Sequence, residues 1–149
     1  MHDSLILAFP PGSPEQSLAY LSHKLSLYAD AADVAEDLRH RIAGIVVIDT
    51  RSAAHYAQGH VPGALSFPHR LMDAESTATL DRSKVYVTYC DGIGCNGSTK
   101  GASKLASLGF TVKEMLGGLD FWIRDGLAVA TGSDAGALSE DAPSIECAC

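Results

Sequence analysis

No apolar run in this sequence is long enough to cross a bilayer. The longest, near Leu5–Pro10 and Ile42–Ile48, fall far short of the about 20 residues that a spanning helix needs. The N-terminus MHDSLILAFPPGS has no basic lead-in, and its prolines cut the apolar stretch short, so no secretory leader is expected in it. Positive charge is also scarce. Eleven lysines and arginines against 18 acids leave a net charge of −7, whereas a nucleic-acid partner calls for a basic surface. These shortages point to a cytoplasmic protein with neither membrane nor nucleic acid as partner. No internal repeat is visible. The four cysteines, Cys90, Cys95, Cys147 and Cys149, are read as thiols with a chemical role, since a chain without a leader seldom carries a disulfide framework.

What is present suits one globular core: 149 residues, 46% of them hydrophobic and 19% charged. The acidity is uneven. Residues 132–149 contain Asp134, Glu140, Asp141 and Glu146 but no lysine or arginine, and they show no periodicity. The expected organisation is an N-terminal extension with one helix (1–24), a domain (25–131) and an acidic flexible tail (132–149).

Ser13-Pro14-Glu15-Gln16 carries a helix-start pattern, a serine cap with proline in the first turn and glutamine three residues after the cap. Leu18, Leu21 and Leu25 then share a helical face. A short strand is expected near Leu25–Tyr28, followed by a helix capped by Asp30 with Val34 and Leu38 turned inward. GIVVID (44–49), VYVTY (85–89) and FTVKEML (110–116) read as strands, the first a β-branched run of the kind buried in parallel sheets. A helix is expected from Ser98 to Leu108, closed by Gly109. LDFWIRDG follows Gly117-Gly118 as a last helix with Leu119, Trp122 and Ile123 inward. Strands alternating with helices predict an α/β layer structure with a mostly parallel sheet.

In such sheets ligands bind beyond the carboxyl ends of strands, where Asp49 and Cys90 both fall. After Cys90 comes the segment Asp91, Gly92, Ile93, Gly94, Cys95, Asn96, Gly97, Ser98, leading into a helix. Backbone amides of a glycine-rich turn and the positive end of a helix dipole favour a thiolate. A reactive cysteine in a nest of amides is one reading. A buried structural cysteine beside a loose loop is the other.

The stretch VVIDTRSAAHYAQGHVPGALSFP, the cysteine loop, a helix ending in LGF, MLGGLDFW and RDGLAV follow one another in an order that resembles single-domain rhodanese-like sulfurtransferases, over roughly residues 25–130. The resemblance implies a central five-stranded sheet with helices on both faces. It implies that Cys90 is the nucleophile and carries a sulfane sulfur as a persulfide, cradled by the amides of Asp91 through Ser98. It implies framework roles for Asp49 and Arg51, and a structural rather than catalytic role for His60 in GHVPGA. No cofactor and no metal are implied. It implies as partners a small sulfur donor and a thiol acceptor (thiosulfate, glutathione persulfide or a reducing protein), or cyanide as acceptor, and it leaves the oligomeric state open to a homodimer.

The sequence departs from the common pattern in three ways. An acid, Asp91, directly follows the nucleophile, and the loop has no arginine, so Lys100 is its nearest cation in sequence. The loop looks longer than usual and resembles a subgroup with a second cysteine, CDGIGCN. His55 stands where an acid commonly pairs with Arg51. Thiosulfate is therefore expected to be a weak donor. The related Cys-x5-Arg phosphatases need a guanidinium where this chain has Asn96, so phosphoryl transfer and arsenate reduction are disfavoured. A zinc site from Cys90, Cys95, Cys147 and Cys149 fits no usual ligand spacing. A catalytically silent binding module is the non-enzyme alternative, and the presence of Cys90 speaks against it. Cys95 is weighed as a thiol that resolves oxidised or persulfidated Cys90 or as a small apolar filler under the loop, and Cys147 and Cys149 as a sulfur relay or reductant of a 90–95 disulfide or as an incidental end.

Overall fold

The computed structural model describes residues 2–145. In chain order the elements are α1 (Pro14–Leu27), β1 (Tyr28–Ala29), α2 (Ala31–Arg39), β2 (Ile45–Asp49), α3 (Ala53–Gln58), β3 (Leu65–Ser66), β4 (Val85–Tyr89), α4 (Gly97–Ser107), β5 (Thr111–Met115) and α5 (Gly118–Arg124), with short 3-10 turns at Ile6–Ala8 and His69–Leu71. The five strands form one sheet in the order β1-β5-β4-β2-β3, and every pairing is parallel. The expected fold is therefore found, with the sheet wholly rather than mostly parallel.

Alternation along the central strands divides the core in two. Val47, Val87 and Tyr89 face α2 and α5, where they pack with Val34, Leu119 and Trp122. Ile48 and Tyr86 face the other way, onto Leu105 of α4, Met72 and Phe110. Trp122 is fully buried and its indole N–H donates to the Ala128 carbonyl at 2.8 Å, so the largest side chain leaves no polar atom stranded.

Several elements differ from the sequence expectation. The strand expected at Leu25–Tyr28 is mostly the last turn of α1. Nothing between Glu15 and Leu27 breaks a helix, so it runs on, and β1 retains only the pairs Tyr28–Glu114 and Ala29–Met115. The capping box of Ser13 and Gln16 is present, yet α1 buries no residue, and Leu18, Leu21 and Leu25 stand exposed. Ile123, expected inward, is 53% exposed, because Leu119 and Trp122 already occupy the buried face of a short helix.

The segment expected to be a flexible tail is pinned to the domain along much of its length. Just ahead of it His60 and Ala130 exchange backbone hydrogen bonds at 2.9 Å, and within it the Gly132 amide donates to the Ala57 carbonyl and the Ala135 carbonyl accepts from the Gly63 amide, both at 2.8 Å. Leu138 is buried in the α2–α5 core, and the Arg39 guanidinium donates to the Ala142 carbonyl. Backbone groups supply most of these ties, and any composition carries backbone groups. That is why a polar, acidic sequence gave no sign of them.

Candidate active site

The chain leaves β2 toward β3 on one side and β4 toward β5 on the other. The carboxyl ends of β2 and β4 thus flank the point where the connections diverge, the usual ligand crevice of an open parallel sheet. Asp49 and Tyr89 are paired in register at these ends. Thr50 and Cys90 follow them side by side, and the Thr50 hydroxyl donates to the Tyr89 carbonyl at 2.8 Å.

Cys90 is only 4% exposed and is joined to Cys95 in a disulfide whose Cα atoms lie 6.2 Å apart. The loop closes on itself where the Cys95 amide donates to the Gly92 carbonyl at 3.0 Å. The first turn of α4 presses against both sulfurs. The Gly97 amide points at Cys95 Sγ at 3.4 Å, and a Cβ on Gly97 would stand 2.9 Å from Cys90 Sγ and 3.4 Å from Cys95 Sγ. Only glycine lets the helix start this close to sulfur. Helix dipole and amide there favour an anionic sulfur.

The other end of the loop is held by α5. The Leu119 and Asp120 amides donate to the carbonyls of Cys90 and Asp91 at 2.9 and 2.7 Å. Gly118, at φ +58°, makes this approach feasible, since a Cβ there would lie 2.3 Å from the Cys90 carbonyl oxygen. The Gly-Gly pair of MLGGLDFW thus serves the cysteine loop directly.

Beneath the loop sits a buried ion pair. Asp49 is fully buried and takes Arg51 Nη2 at 2.7 Å and Nε at 3.0 Å, the Arg51 amide at 3.0 Å and the Tyr89 hydroxyl at 2.7 Å. Arg51 Nη2 also donates to the Gly59 carbonyl at 2.6 Å, and Nη1 reaches Asp91 at 2.8 Å. Burial works against the Arg51 charge, but hydrogen bonds to Asp49 and then its negative charge outweigh it, with Asp91 adding, and the pKa lies above the usual arginine range. Burial, then the Asp49 charge, push the Tyr89 phenol far up. Asp91 therefore takes the place of the acid absent at position 55. His55 is exposed and bonded to Ser52.

The cleft over Cys90 has a volume of about 500 Å³ and is bordered by Arg51, Asp91, Asn96, Lys100, His69 and Arg70. Arg70 and Lys100 make the rim cationic on that side, and burial, then the charges of Lys100, Arg70 and Lys104, lower the His69 pKa. Lys100 was anticipated. His69 and Arg70 were not, because only the crossover after β3 brings them to a loop 20 residues away in sequence. The hydrogen bond from the His69 amide to the Thr50 carbonyl at 3.0 Å locks that crossover in place.

Of the other anticipated positions, Ile93 and Gly94 face solvent at the loop crown, and Asn96 is exposed. The Ser98 hydroxyl turns away to Glu114 at 3.0 Å. His60 is fully buried, stacked on Tyr56 at 3.6 Å, with its ring nitrogens against the carbonyls of Tyr56 and Asp134 at 2.8 and 3.0 Å. It ties the GHVPGA turn to residues 134–135 and does not line the cleft beside Cys90. Cys147 and Cys149 lie outside the described residues.

The family model of the rhodanese-like domain matches residues 31–125. The chain belongs to the rhodanese-like family. Similar solved structures include the BH2092 protein of Bacillus halodurans, 38% identical, covering 84% of this chain and 91% of that one at a TM-score of 0.78. The rhodanese-related protein of Thermoplasma volcanium is 26% identical, covering 70% and 97% at a TM-score of 0.60. In sequence, the HTH-type transcriptional regulator Rv0324 of Mycobacterium tuberculosis is 33% identical over 108 residues, 72% of this chain and 47% of that protein. The chain thus spans about half the length of that relative. Among the described residues, no helix is long and apolar enough to cross a membrane.

Proposed function

We propose that the protein is a sulfurtransferase that carries sulfane sulfur as a persulfide on Cys90. What supports this reading most is the packing of the α4 start against the Cys90 sulfur, where a glycine without room for a Cβ keeps the positive end of the helix dipole beside it. Family membership supports it as well. In the reduced protein the Cys90 thiolate attacks the outer sulfur of a donor. A bond forms from Cys90 Sγ to that sulfur, and the donor leaves as sulfite from thiosulfate or as a thiol from a thiol persulfide. The amides of residues 91–98 serve the resulting persulfide anion. A cleft of about 500 Å³ holds more than an inorganic anion, which favours a donor of glutathione-persulfide size.

The test begins with dithiol reduction and removal of the reductant. The protein is then treated with each donor, and intact mass with peptide mapping locates the added sulfur. A gain of one sulfur atom on the Cys90 peptide of the Cys95→Ser protein, where no second loop thiol can discharge it, and none in Cys90→Ser, is the expected outcome. No gain with either donor defeats the proposal.

The likeness to a transcriptional regulator favours one second reading, in which the same cysteine loop reports sulfur or redox state to a partner domain and turns over little. Persulfide formation on Cys90 without multiple turnover to any thiol acceptor would select it.

A further inference from the structure

Cys95 is the feature that simple sulfur transfer does not use. Its sulfur lies on the Gly97 amide, a donor that could serve a persulfide anion, and it is bonded to Cys90 Sγ itself. A thiol that passes sulfur onward must reach the outer atom of a persulfide. This one reaches the inner atom.

We infer that Cys95 discharges the Cys90 persulfide as hydrosulfide, so that the protein reduces sulfane sulfur at the expense of a dithiol; the inference rests on the persulfide proposed above. The Cys95 thiolate attacks Cys90 Sγ. The Cys90 Sγ–Cys95 Sγ bond forms, the bond from Cys90 Sγ to the outer sulfur breaks, and that sulfur leaves with the electron pair. With protons counted, Cys90–S–SH and Cys95–SH become the disulfide and H2S. The sulfane sulfur gains two electrons, and the two cysteines lose them. An external dithiol then reduces the disulfide by exchange and is itself oxidised, closing the cycle.

The loop is built for this step. The turn bond from the Cys95 amide to the Gly92 carbonyl brings the second cysteine back over the first. The Gly97 amide stabilises charge on the attacking sulfur, and the absent side chain at position 97 leaves space for both sulfurs. Carbonyl bonds to the Leu119 and Asp120 amides hold the Cys90 end still while the Cys95 end closes. The enzyme's place in a sequence of reactions follows: it consumes persulfides or thiosulfate, needs a dithiol-regenerating system and supplies hydrosulfide to whatever assimilates or oxidises it.

The experiment is a single turnover without any added thiol. Reduced full-length protein, freed of reductant under anaerobic conditions, receives one equivalent of thiosulfate labelled in its outer sulfur, or of glutathione persulfide labelled likewise. Wild type is expected to release labelled hydrosulfide approaching one per chain and to acquire the 90–95 disulfide. Cys95→Ser and Cys95→Ala are expected to hold the label on Cys90, with at least a tenfold slower release. Equal hydrosulfide release by wild type and both variants overturns the inference while leaving the Cys90 persulfide standing. Label on Cys95 as a stable persulfide overturns it too, by showing transfer to the outer atom. Failure of Cys90 to take up label in all three proteins removes the persulfide itself and the inference with it.

Discussion

Arg51 Nη1 lies 2.8 Å from Asp91 Oδ1, so the acid that follows Cys90 is tethered to the buried cation beneath it. Removing this carboxylate does two things at once. It takes a negative charge from the cleft and turns one guanidinium edge toward the donor. Asp91→Ala is expected to raise kcat/KM for thiosulfate several-fold, with little change for glutathione persulfide. A fall for thiosulfate would show that Asp91 positions the loop more than it repels the donor.

Cys90→Ser is expected to abolish sulfur transfer to cyanide and thiols, with unchanged circular dichroism. The oxygen of serine fits the same space but neither ionises at neutral pH nor forms a persulfide. Retained turnover would move the chemistry elsewhere.

Gly118→Ala tests the support under the loop. At φ +58° with the Cys90 carbonyl 2.3 Å from the new Cβ, the chain must shift. Backbone strain of this kind costs of order 1–3 kcal/mol. Chemical denaturation is expected to show that loss together with slower persulfide formation. Stability lost without any effect on rate would separate α5 from the site.

Leu138→Ala probes the strap formed by residues 130–138. A buried leucine truncated to alanine usually costs about 2–5 kcal/mol, and Leu138 is 5% exposed. A clear drop in Tm is expected. An unchanged Tm would mean that the strap contributes no stability.

Deleting residues 1–24 is expected to cost the domain less than about 1 kcal/mol, since α1 buries no residue within it. Comparing full-length and shortened proteins at several concentrations also reports on association. A Tm that rises with concentration only in the full-length chain would show the exposed apolar residues of 1–24, Leu18 and Leu21 among them, covered by a second copy.

The order of elements was legible because β-branched runs and glycine stops are local signals. GIVVID, VYVTY and the capped helix starts each mark an element through nearest-neighbour physics alone. Cys90 stood out as a candidate because a cysteine at a strand end before glycines is a local pattern too. What stayed hidden depended on distance in sequence. Asp91 as the partner of Arg51, Arg70 and His69 on the rim, and Leu138 in the core all arise from chain crossings. The helix α3 and the two-residue strand β3 were hidden for another reason. They are too short for any period to show, and the GHVPGA turn and the β2 pairing stabilise them.

Between the carbonyls fixed by α5 and the buried start of α4, only residues 92–96 are left to rearrange when the 90–95 bond opens or closes. Motions of so short a segment belong to the nanosecond-to-microsecond range, far faster than thiol–disulfide exchange. No slow conformational gate then stands between the two redox forms. Turnover should follow the concentration and thiolate fraction of the attacking reductant, and solvent viscosity should leave it unchanged.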